Sequence, residues 1–196
     1  YATGIHITEK GMDYLEDYVK QVRDVVGYEV PLAIDHFGHV SMEDCIKFLK
    51  RLEKYNIAWV EDIQPWHLTD HYVRIAENCN VPLATGEDIY LAKNFRPLME
   101  KHGVSLVHPD LLTIGGALET KKLGDMCEEY GVAMAIHMAE SPIACMAAVL
   151  ANLAFCRAAL QDARTYVRAA ANGRVAWLRK DAADSTWLQA EQFLTH

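Results

Sequence analysis

Residues 30–35 read Val-Pro-Leu-Ala-Ile-Asp, a short apolar run that ends in an acid. The same form, an apolar run closed by one chemically capable side chain, returns at Glu61, Glu87, Asp110 and His137. From Asp35 onward, successive members of this series are 26, 26, 23 and 27 residues apart. A strand, a helix and two short connections need on the order of 25 residues, so the spacing predicts repeated strand–helix units.

These runs are apolar throughout rather than at every second position, which is typical of strands buried on both faces in a parallel sheet covered by helices. The carboxyl ends of parallel strands meet at one edge, where α/β barrels place their active sites. We therefore predict an α/β fold of about five βα units, a partial TIM-type (β/α) barrel. With 196 residues, the chain is short for a complete barrel, which typically has roughly 250.

The segments between the runs carry helical patterns. Apolar residues at helical spacing over residues 11–26 predict an amphipathic helix, and Gly27 follows where that helix would end. Ser41, with Asp44 three residues later, is typical of a capping box at the start of the next helix. Further helices are expected over residues 67–78, 91–102 and 115–130, and after Ser141.

Composition narrows the class of protein. A hydrophobic content of 51% and a charged content of 23% indicate an ordinary globular domain. The net charge of −8 argues against phosphate-backbone binding, so we expect no nucleic-acid partner. The five scattered cysteines contain no CxxC pair, which is typical of free thiols in the cytoplasm. The most apolar stretch, residues 142–151, is too short to span a bilayer, so we expect no membrane association.

Convergence at one sheet edge would give these side chains a joint role. Three carboxylates can hold a divalent cation, and a histidine beside an aspartate can serve as an oriented base. Each residue alone has a plainer interpretation, because a single strand-end carboxylate is usually a helix cap or a surface charge. A lone histidine is more often packed or hydrogen-bonded. The equal structural positions favour the joint role.

Five motifs surround these residues, and together they resemble the barrel domain of the enolase superfamily. The resemblance covers about residues 10–150 and is strongest to the mandelate racemase and muconate lactonising branch, particularly its acid-sugar dehydratases. The motifs are AIDHFGH around Asp35, WVEDIQPW around Glu61, ATGEDIY around Glu87, VHPDLLTIGG around Asp110 and AIHMAESPI around His137.

The resemblance implies roles for the five residues. It implies that Asp35, Glu61 and Glu87 are Mg²⁺ ligands on the third, fourth and fifth strands of the barrel. It also implies that Asp110 and His137 form the catalytic dyad of the sixth and seventh strands. The expected activity is that of a Mg²⁺-dependent hydro-lyase. Such an enzyme removes the α-proton of a small anionic acid sugar of the aldonate type, stabilises the enolate and expels a β-hydroxyl.

The sequence departs from the family pattern at the residue expected to act as the general acid. Some related dehydratases use a histidine two residues after the first metal ligand, but Phe37 occupies that position here. His36 is the candidate substitute. A further departure is that no lysine motif of the second strand and no capping domain is recognisable before Gly11.

The carboxyl-terminal part of the sequence also departs from the family pattern. Residues 150–160 contain no acid where the family has an eighth strand ending in Glu, and the later residues favour Arg over Lys. We therefore divide the chain into a partial-barrel catalytic domain, residues 1–152, and an atypical carboxyl-terminal tail, residues 153–196. A frameshift, an altered splice or an unusual replacement is our hypothesis for the origin of the tail.

Two alternatives stay open at this point. A racemase or epimerase of the same superfamily shares the enolate step and differs in the later fate of the enolate. A truncated, non-catalytic paralogue would keep the fold and act by association. Because an open five-unit segment exposes strand edges, we expect a homo-oligomer.

Overall fold

The computed structural model of the protein describes residues 4–35 and 38–155, and for residues 152–155 it describes the backbone alone. Within these ranges the chain forms a parallel sheet of five strands in sequential order. The predicted α/β fold of five repeated units is therefore confirmed. The strands are β1 Leu32–Ile34, β2 Ile57–Glu61, β3 Leu83–Thr85, β4 Leu106–Val107 and β5 Ala133–Met134.

Helices precede, connect and follow the strands, as the spacing predicts. Short 3₁₀ turns lie at Glu53–Tyr55 and Ala92–Asn94. The helices are α1 Glu9–Val26, α2 Met42–Leu52, α3 Thr69–Asn78, α4 Arg96–Glu100, α5 Leu111–Ile114, α6 Ala117–Tyr130 and α7 Pro142–Phe155.

The first two helices begin at side-chain caps. The Oγ1 of Thr8 accepts a hydrogen bond from the Gly11 N–H at the start of α1, and Gly27 ends that helix with φ of +71°. Ser41 caps α2 by accepting from the Asp44 N–H at 3.3 Å. The reciprocal half of the predicted capping box is absent among the contacts of Asp44. Its carboxylate accepts from the Ile7 N–H instead, at 3.0 Å.

One predicted helix differs from the expectation. Residues 91–102 form a 3₁₀ turn and then α4, because Leu91 takes a left-handed backbone with φ of +63° and breaks the helix at its start. The helix predicted over 115–130 is present as α6, and the short helix α5 precedes it. Gly115 and Gly116, with φ of +111° and +89°, stand between them in conformations that a helix does not continue.

The core lies between the sheet and the helices. Four residues of α2 are buried there: Cys45, Phe48, Leu49 and Leu52. Buried residues of β2, β3 and β4 belong to the same hydrophobic core. Polar groups gather instead at the carboxyl ends of these strands.

The buried guanidinium of Arg23 fixes the end of α1 to the entrance of β2. Its Nε donates to the Tyr55 carbonyl at 3.0 Å, and its Nη2 donates to the Asn56 carbonyl at 2.9 Å. Its Nη1 donates to the carbonyls of Gly27 and Val30, each at 2.8 Å. Because each nitrogen has a backbone acceptor, the side chain is satisfied without a carboxylate partner.

The chain divides into two units, Tyr1–Asn152 and Leu153–His196. Most of the second unit lies outside the described residues, so the predicted character of the tail stays a prediction. The cysteines within the described ranges, Cys45, Cys79, Cys127 and Cys145, are free thiols as expected. Among the described helices, none combines the length and the apolar character that a membrane span needs.

Candidate active site

The predicted side chains all follow the carboxyl ends of the five parallel strands. The ladder between the last two strands continues as far as the site, because Asp110 and His137 form a parallel bridge and the His137 N–H donates to the Pro109 carbonyl at 3.0 Å. In chain order, Asp35 follows β1, Glu61 ends β2, Glu87 follows β3, Asp110 follows β4 and His137 follows β5.

Asp110 and His137 are in direct contact, as predicted for a dyad. The His137 Nδ1 lies 3.1 Å from Asp110 Oδ2. Asp110 is buried and caps α5, where its Oδ1 accepts from the N–H groups of Leu112 at 2.8 Å and Thr113 at 3.1 Å. The helix start therefore fixes the carboxylate, and the carboxylate orients the imidazole.

The other nitrogen of His137 faces a predicted cation ligand. The Nε2 lies 2.9 Å from Glu87 Oε2. Burial works against the charged imidazole, but the hydrogen bond with Asp110 and the charges of Glu87 and Asp110 outweigh it and raise the pKa of His137. The imidazole therefore holds a proton more readily than a free histidine does.

Glu61 and Glu87 meet in a cluster with Asp62 and His108. Each of the four offers one ligand atom, and these atoms all lie within 4.8 Å of one another. The two glutamates are among the residues predicted from the sequence, whereas Asp62 and His108 are not. Both missed residues stand inside the quoted motifs, in WVEDIQPW and VHPDLLTIGG, so the density of acids and histidines around each strand end was the available signal.

Asp35 and His36 are the two remaining residues that the sequence predicts for the site. Asp35 is exposed after β1 and is not a member of the four-residue cluster. Its negative charge favours the protonated forms of Asp62 and His108, although burial has the largest influence on both pKa values. Its predicted role as a cation ligand stays a prediction. His36, the candidate acid, lies outside the described residues.

Asp62 is held in an unusual position. Its backbone has φ of +49°, and its Oδ1 accepts a hydrogen bond of 2.6 Å from Thr85 Oγ1. Burial raises the pKa of Asp62 to about 7, and the charges of Glu87 and Glu61 act in the same direction, against the hydrogen bond from Thr85. Negative charge thus accumulates where the strands meet, and a divalent cation would relieve this repulsion.

Within the part of the chain that the structure describes, His108 lies among these acids without a hydrogen bond. Its Nδ1 is 3.3 Å from Glu61 Oε1 and its Nε2 is 3.4 Å from Asp62 Oδ2, yet neither buried nitrogen has a hydrogen-bond partner. Burial, with a further contribution from His137, lowers the pKa of His108 to about 4, although the charge of Asp35 opposes the shift. His108 is therefore neutral near pH 7.

The donor set fits a divalent cation. Three carboxylates supply oxygens of the kind that Mg²⁺ takes in proteins, and an imidazole is a further nitrogen donor. Outer hydrogen bonds orient two of the acids, because Trp59 Nε1 donates to Glu61 Oε2 at 3.0 Å and Thr85 donates to Asp62. Such supporting bonds are typical of metal ligands.

An open cleft of about 450 Å³ lies beside the cluster. This volume is within the usual range for small-molecule sites. Asp62 and Glu87 belong to its wall, so a ligand in the cleft would meet the carboxylate cluster directly. The remaining wall is polar and aromatic, and it includes His39, Gln64, Trp66 and Tyr90.

Residues 3–186 match the protein family described as "Enolase C-terminal domain-like". The chain belongs to the enolase superfamily. The resemblance stated from its five motifs is thereby confirmed.

Individual members of the superfamily are similar over part of their length. A D-galactonate dehydratase of Ralstonia pickettii (strain 12J) is 31% identical over 159 residues, which are 81% of this chain and 42% of that protein. The chain thus spans about two fifths of this curated relative.

Solved structures agree on the fold. The 3,6-anhydro-D-galactonate cycloisomerase of Zobellia galactanivorans superposes with a TM-score of 0.68 and 29% identity, over 72% of this chain and 41% of that one. A mandelate racemase/muconate lactonizing enzyme-like protein of Rubrobacter xylanophilus DSM 9941 gives a TM-score of 0.72 and 28% identity, over 77% and 38%. The partial barrel of this superfamily is the fold of the chain.

Proposed function

We propose that this chain carries the cation site and the base of a Mg²⁺-dependent acid-sugar dehydratase, a hydro-lyase. The observation that carries the proposal is the position of Glu87. Its carboxylate belongs to the four-residue cluster and also lies 2.9 Å from the Nε2 of His137. A proton acceptor therefore borders a candidate cation site, as α-proton removal from a carboxylic acid requires.

The proposed ligands of the cation are Asp35, Glu61 and Glu87. A hard divalent cation supplies positive charge where the deprotonated acid gains its second negative charge. The protein's own part is to hold the carboxylates in place. Trp59 does this for Glu61 through the hydrogen bond to Oε2.

His137 is the proposed base. The Nδ1 contact with Asp110 favours the tautomer that has its proton on Nδ1, which leaves Nε2 to accept the α-proton. Asp110 then stabilises the imidazolium that forms. Because a carboxylate only accepts, the 2.9 Å contact between Nε2 and Glu87 holds a proton on Nε2. His137 must release this proton and leave Glu87 before Nε2 accepts the α-proton.

The proposed substrate is a small aldonate-type acid sugar. The names of the relatives support this class, since one acts on D-galactonate and another on an anhydro derivative of it. The cleft beside the cluster offers the exposed hydroxyl of Tyr90 as a polar group for sugar hydroxyls. His36 is the proposed acid for the departing β-hydroxyl.

Product analysis tests the proposal. The protein is incubated with Mg²⁺ and a panel of aldonates that includes D-galactonate, and 2-keto-3-deoxy acid is measured. We expect product with the unchanged protein and a loss of about 10²-fold or more in His137→Asn, the usual contribution of a general base. His102→Asn is the matched control, because His102 is exposed and its left-handed φ of +56° suits asparagine.

Two outcomes contradict the dehydratase. Deuterium exchange at the α-carbon without loss of water supports a racemase or epimerase, which shares the proton-abstraction step. Cation binding without exchange or product across the panel supports the non-catalytic paralogue.

A further inference from the structure

We propose that His108 is a direct ligand of the cation, and that the site therefore prefers a divalent transition ion such as Mn²⁺ to Mg²⁺. The inference rests on the proposed function only in placing the cation at Glu61 and Glu87, which share a cluster with Asp62 and His108. It concerns which ion the cluster selects and which side chain makes the selection.

The first observation is the condition of the imidazole. His108 is 3% exposed, and neither ring nitrogen has a hydrogen-bond partner among the described residues. Burying a polar group without a partner is costly, so groups of this kind are rare and usually meet a ligand, an ion or a water. Here both nitrogens point among carboxylate oxygens, which are themselves cation ligands.

The separations between His108 and the two acids are longer than a charge-assisted hydrogen bond. A hydrogen bond between a protonated imidazole and a carboxylate would be roughly 2.7–2.9 Å long. The two separations from His108, 3.3 Å to Glu61 and 3.4 Å to Asp62, are longer. Around an octahedral ion with bonds of roughly 2.1 Å, neighbouring ligands lie about 3.0 Å apart and opposite ones about 4.2 Å apart. The cluster, with all its ligand atoms within 4.8 Å, needs to contract only slightly.

The outer contacts direct the free oxygens inward. Trp59 occupies Oε2 of Glu61 and leaves Oε1 on the side of His108. Thr85 occupies Oδ1 of Asp62 and leaves Oδ2 on the side of His108. Each acid therefore has one oxygen bonded to the protein and one directed toward the imidazole.

The chemistry of the donors sets the preference. Oxygen donors suit Mg²⁺ and Mn²⁺ alike, whereas imidazole is a ligand of transition ions and is seldom used by Mg²⁺. An imidazole among three carboxylates thus favours the transition ion. Replacing the imidazole by an amide should remove most of this preference.

Pulsed EPR on the Mn²⁺-loaded protein tests the assignment without any substrate. Electron spin echo envelope modulation detects a nitrogen bonded to the manganese. We expect this signal in the unchanged protein and in His102→Asn, and its loss in His108→Asn. In competition titrations, the ratio of Mn²⁺ to Mg²⁺ affinity should fall about tenfold or more in His108→Asn alone.

The EPR measurement on the unchanged protein tests the inference even if a variant folds poorly. Bound Mn²⁺ without a nitrogen signal overturns the inference and leaves the carboxylate site of the proposed function standing. A nitrogen signal that persists in His108→Asn assigns the ligand to another histidine and also overturns it. Failure to bind Mn²⁺ or Mg²⁺ at all overturns the inference and the proposed cation dependence together.

Discussion

Gly86 sets how closely the ends of β3 and β4 approach each other at the cluster. A Cβ at this position would lie 2.8 Å from the carbonyl carbon of His108 and 2.9 Å from its backbone nitrogen. Real Cβ atoms do not come this close to backbone, so any other side chain here must push His108 away. The lack of a side chain at Gly86 is therefore required for His108 to keep its position.

Replacing Gly86 with alanine should separate the two strand ends. We expect a loss of about 1–3 kcal/mol in the free energy of unfolding and weaker Mn²⁺ binding, measured by urea denaturation and by titration. Gly131→Ala is the control, because Gly131 has φ of +65° but open space around its Cβ. It should lose stability and keep its affinity for Mn²⁺. Equal affinities in the two variants would show that Gly86 does not position His108.

Asp110→Asn tests how His137 is oriented. Asparagine keeps the cap of α5, since its oxygen can still accept from the Leu112 and Thr113 N–H groups, so stability should change little. Its amide then donates to Nδ1 and favours the wrong tautomer. We expect the keto-acid-forming activity to fall about 10²- to 10⁴-fold.

The same variant should change the titration of His137. Because the contact with Asp110 contributes to the raised pKa, removing its charge should move the pKa of His137 downward in the cation-free protein. NMR titration of the imidazole protons measures it. An unchanged pKa would mean that Glu87 alone sets the charge on His137.

Strand periodicity explains which site residues could be predicted and which could not. Glu61 and Glu87 could be, because each closes an apolar run at the regular interval. Asp62 could not, because neighbouring residues on a strand point to opposite faces. Its φ of +49° departs from the strand and brings its side chain back to the cluster, and nothing in the local sequence specifies that turn.

At the scale of elements, the spacing of apolar runs predicts the strand order, but tertiary contacts decide where some helices begin. The Leu91 N–H donates to the Ile114 carbonyl at 3.0 Å, and the Ala92 N–H donates to Glu119 Oε2 at 3.0 Å. These contacts with α5 and α6 fix the left-handed backbone at Leu91 and shorten the helix predicted over 91–102. The local periodicity of the sequence carries no information about hydrogen-bond partners that lie more than 20 residues away.

Asp44 joins the amino-terminal segment to α2 and should make this connection sensitive to acid. Its buried carboxylate accepts hydrogen bonds from the Ile7 N–H and Lys47, and it contacts His6. Burial opposes ionisation, but the bonds from Ile7 and Lys47 outweigh it and lower the pKa of Asp44 to about 2. The folded state thus binds the proton less tightly than the unfolded state, so the stabilisation is present above the unfolded value of 3.8 and is lost as the pH falls toward 2.

Urea denaturation between pH 5 and pH 2 measures this effect. We expect Asp44 to contribute on the order of 1–2 kcal/mol of pH-dependent stability in that interval. In Asp44→Asn the contribution should be absent at every pH, so the two curves converge at low pH. Parallel curves would contradict the assigned role of Asp44.

At the scale of the whole molecule, the site exists only when the sheet is assembled. The two residues of the dyad come from β4 and β5, and the cluster draws on β2, β3 and β4, so no single strand–helix unit holds either group. Glu87 connects the two groups through its contact with His137. The expected homo-oligomer remains a prediction, as does the role of Asp35 in completing the cation site.

Paramagnetic broadening by Mn²⁺ tests this convergence most directly. Mn²⁺ is added in small amounts to the protein, and the NMR signals of the histidine side chains are followed. We expect the imidazole signals of His108 and His137 to broaden first and together, and the signal of the exposed His102 to stay sharp. If His108 and His137 broaden no more than His102, the strand ends do not gather around one cation, and the central claim is contradicted.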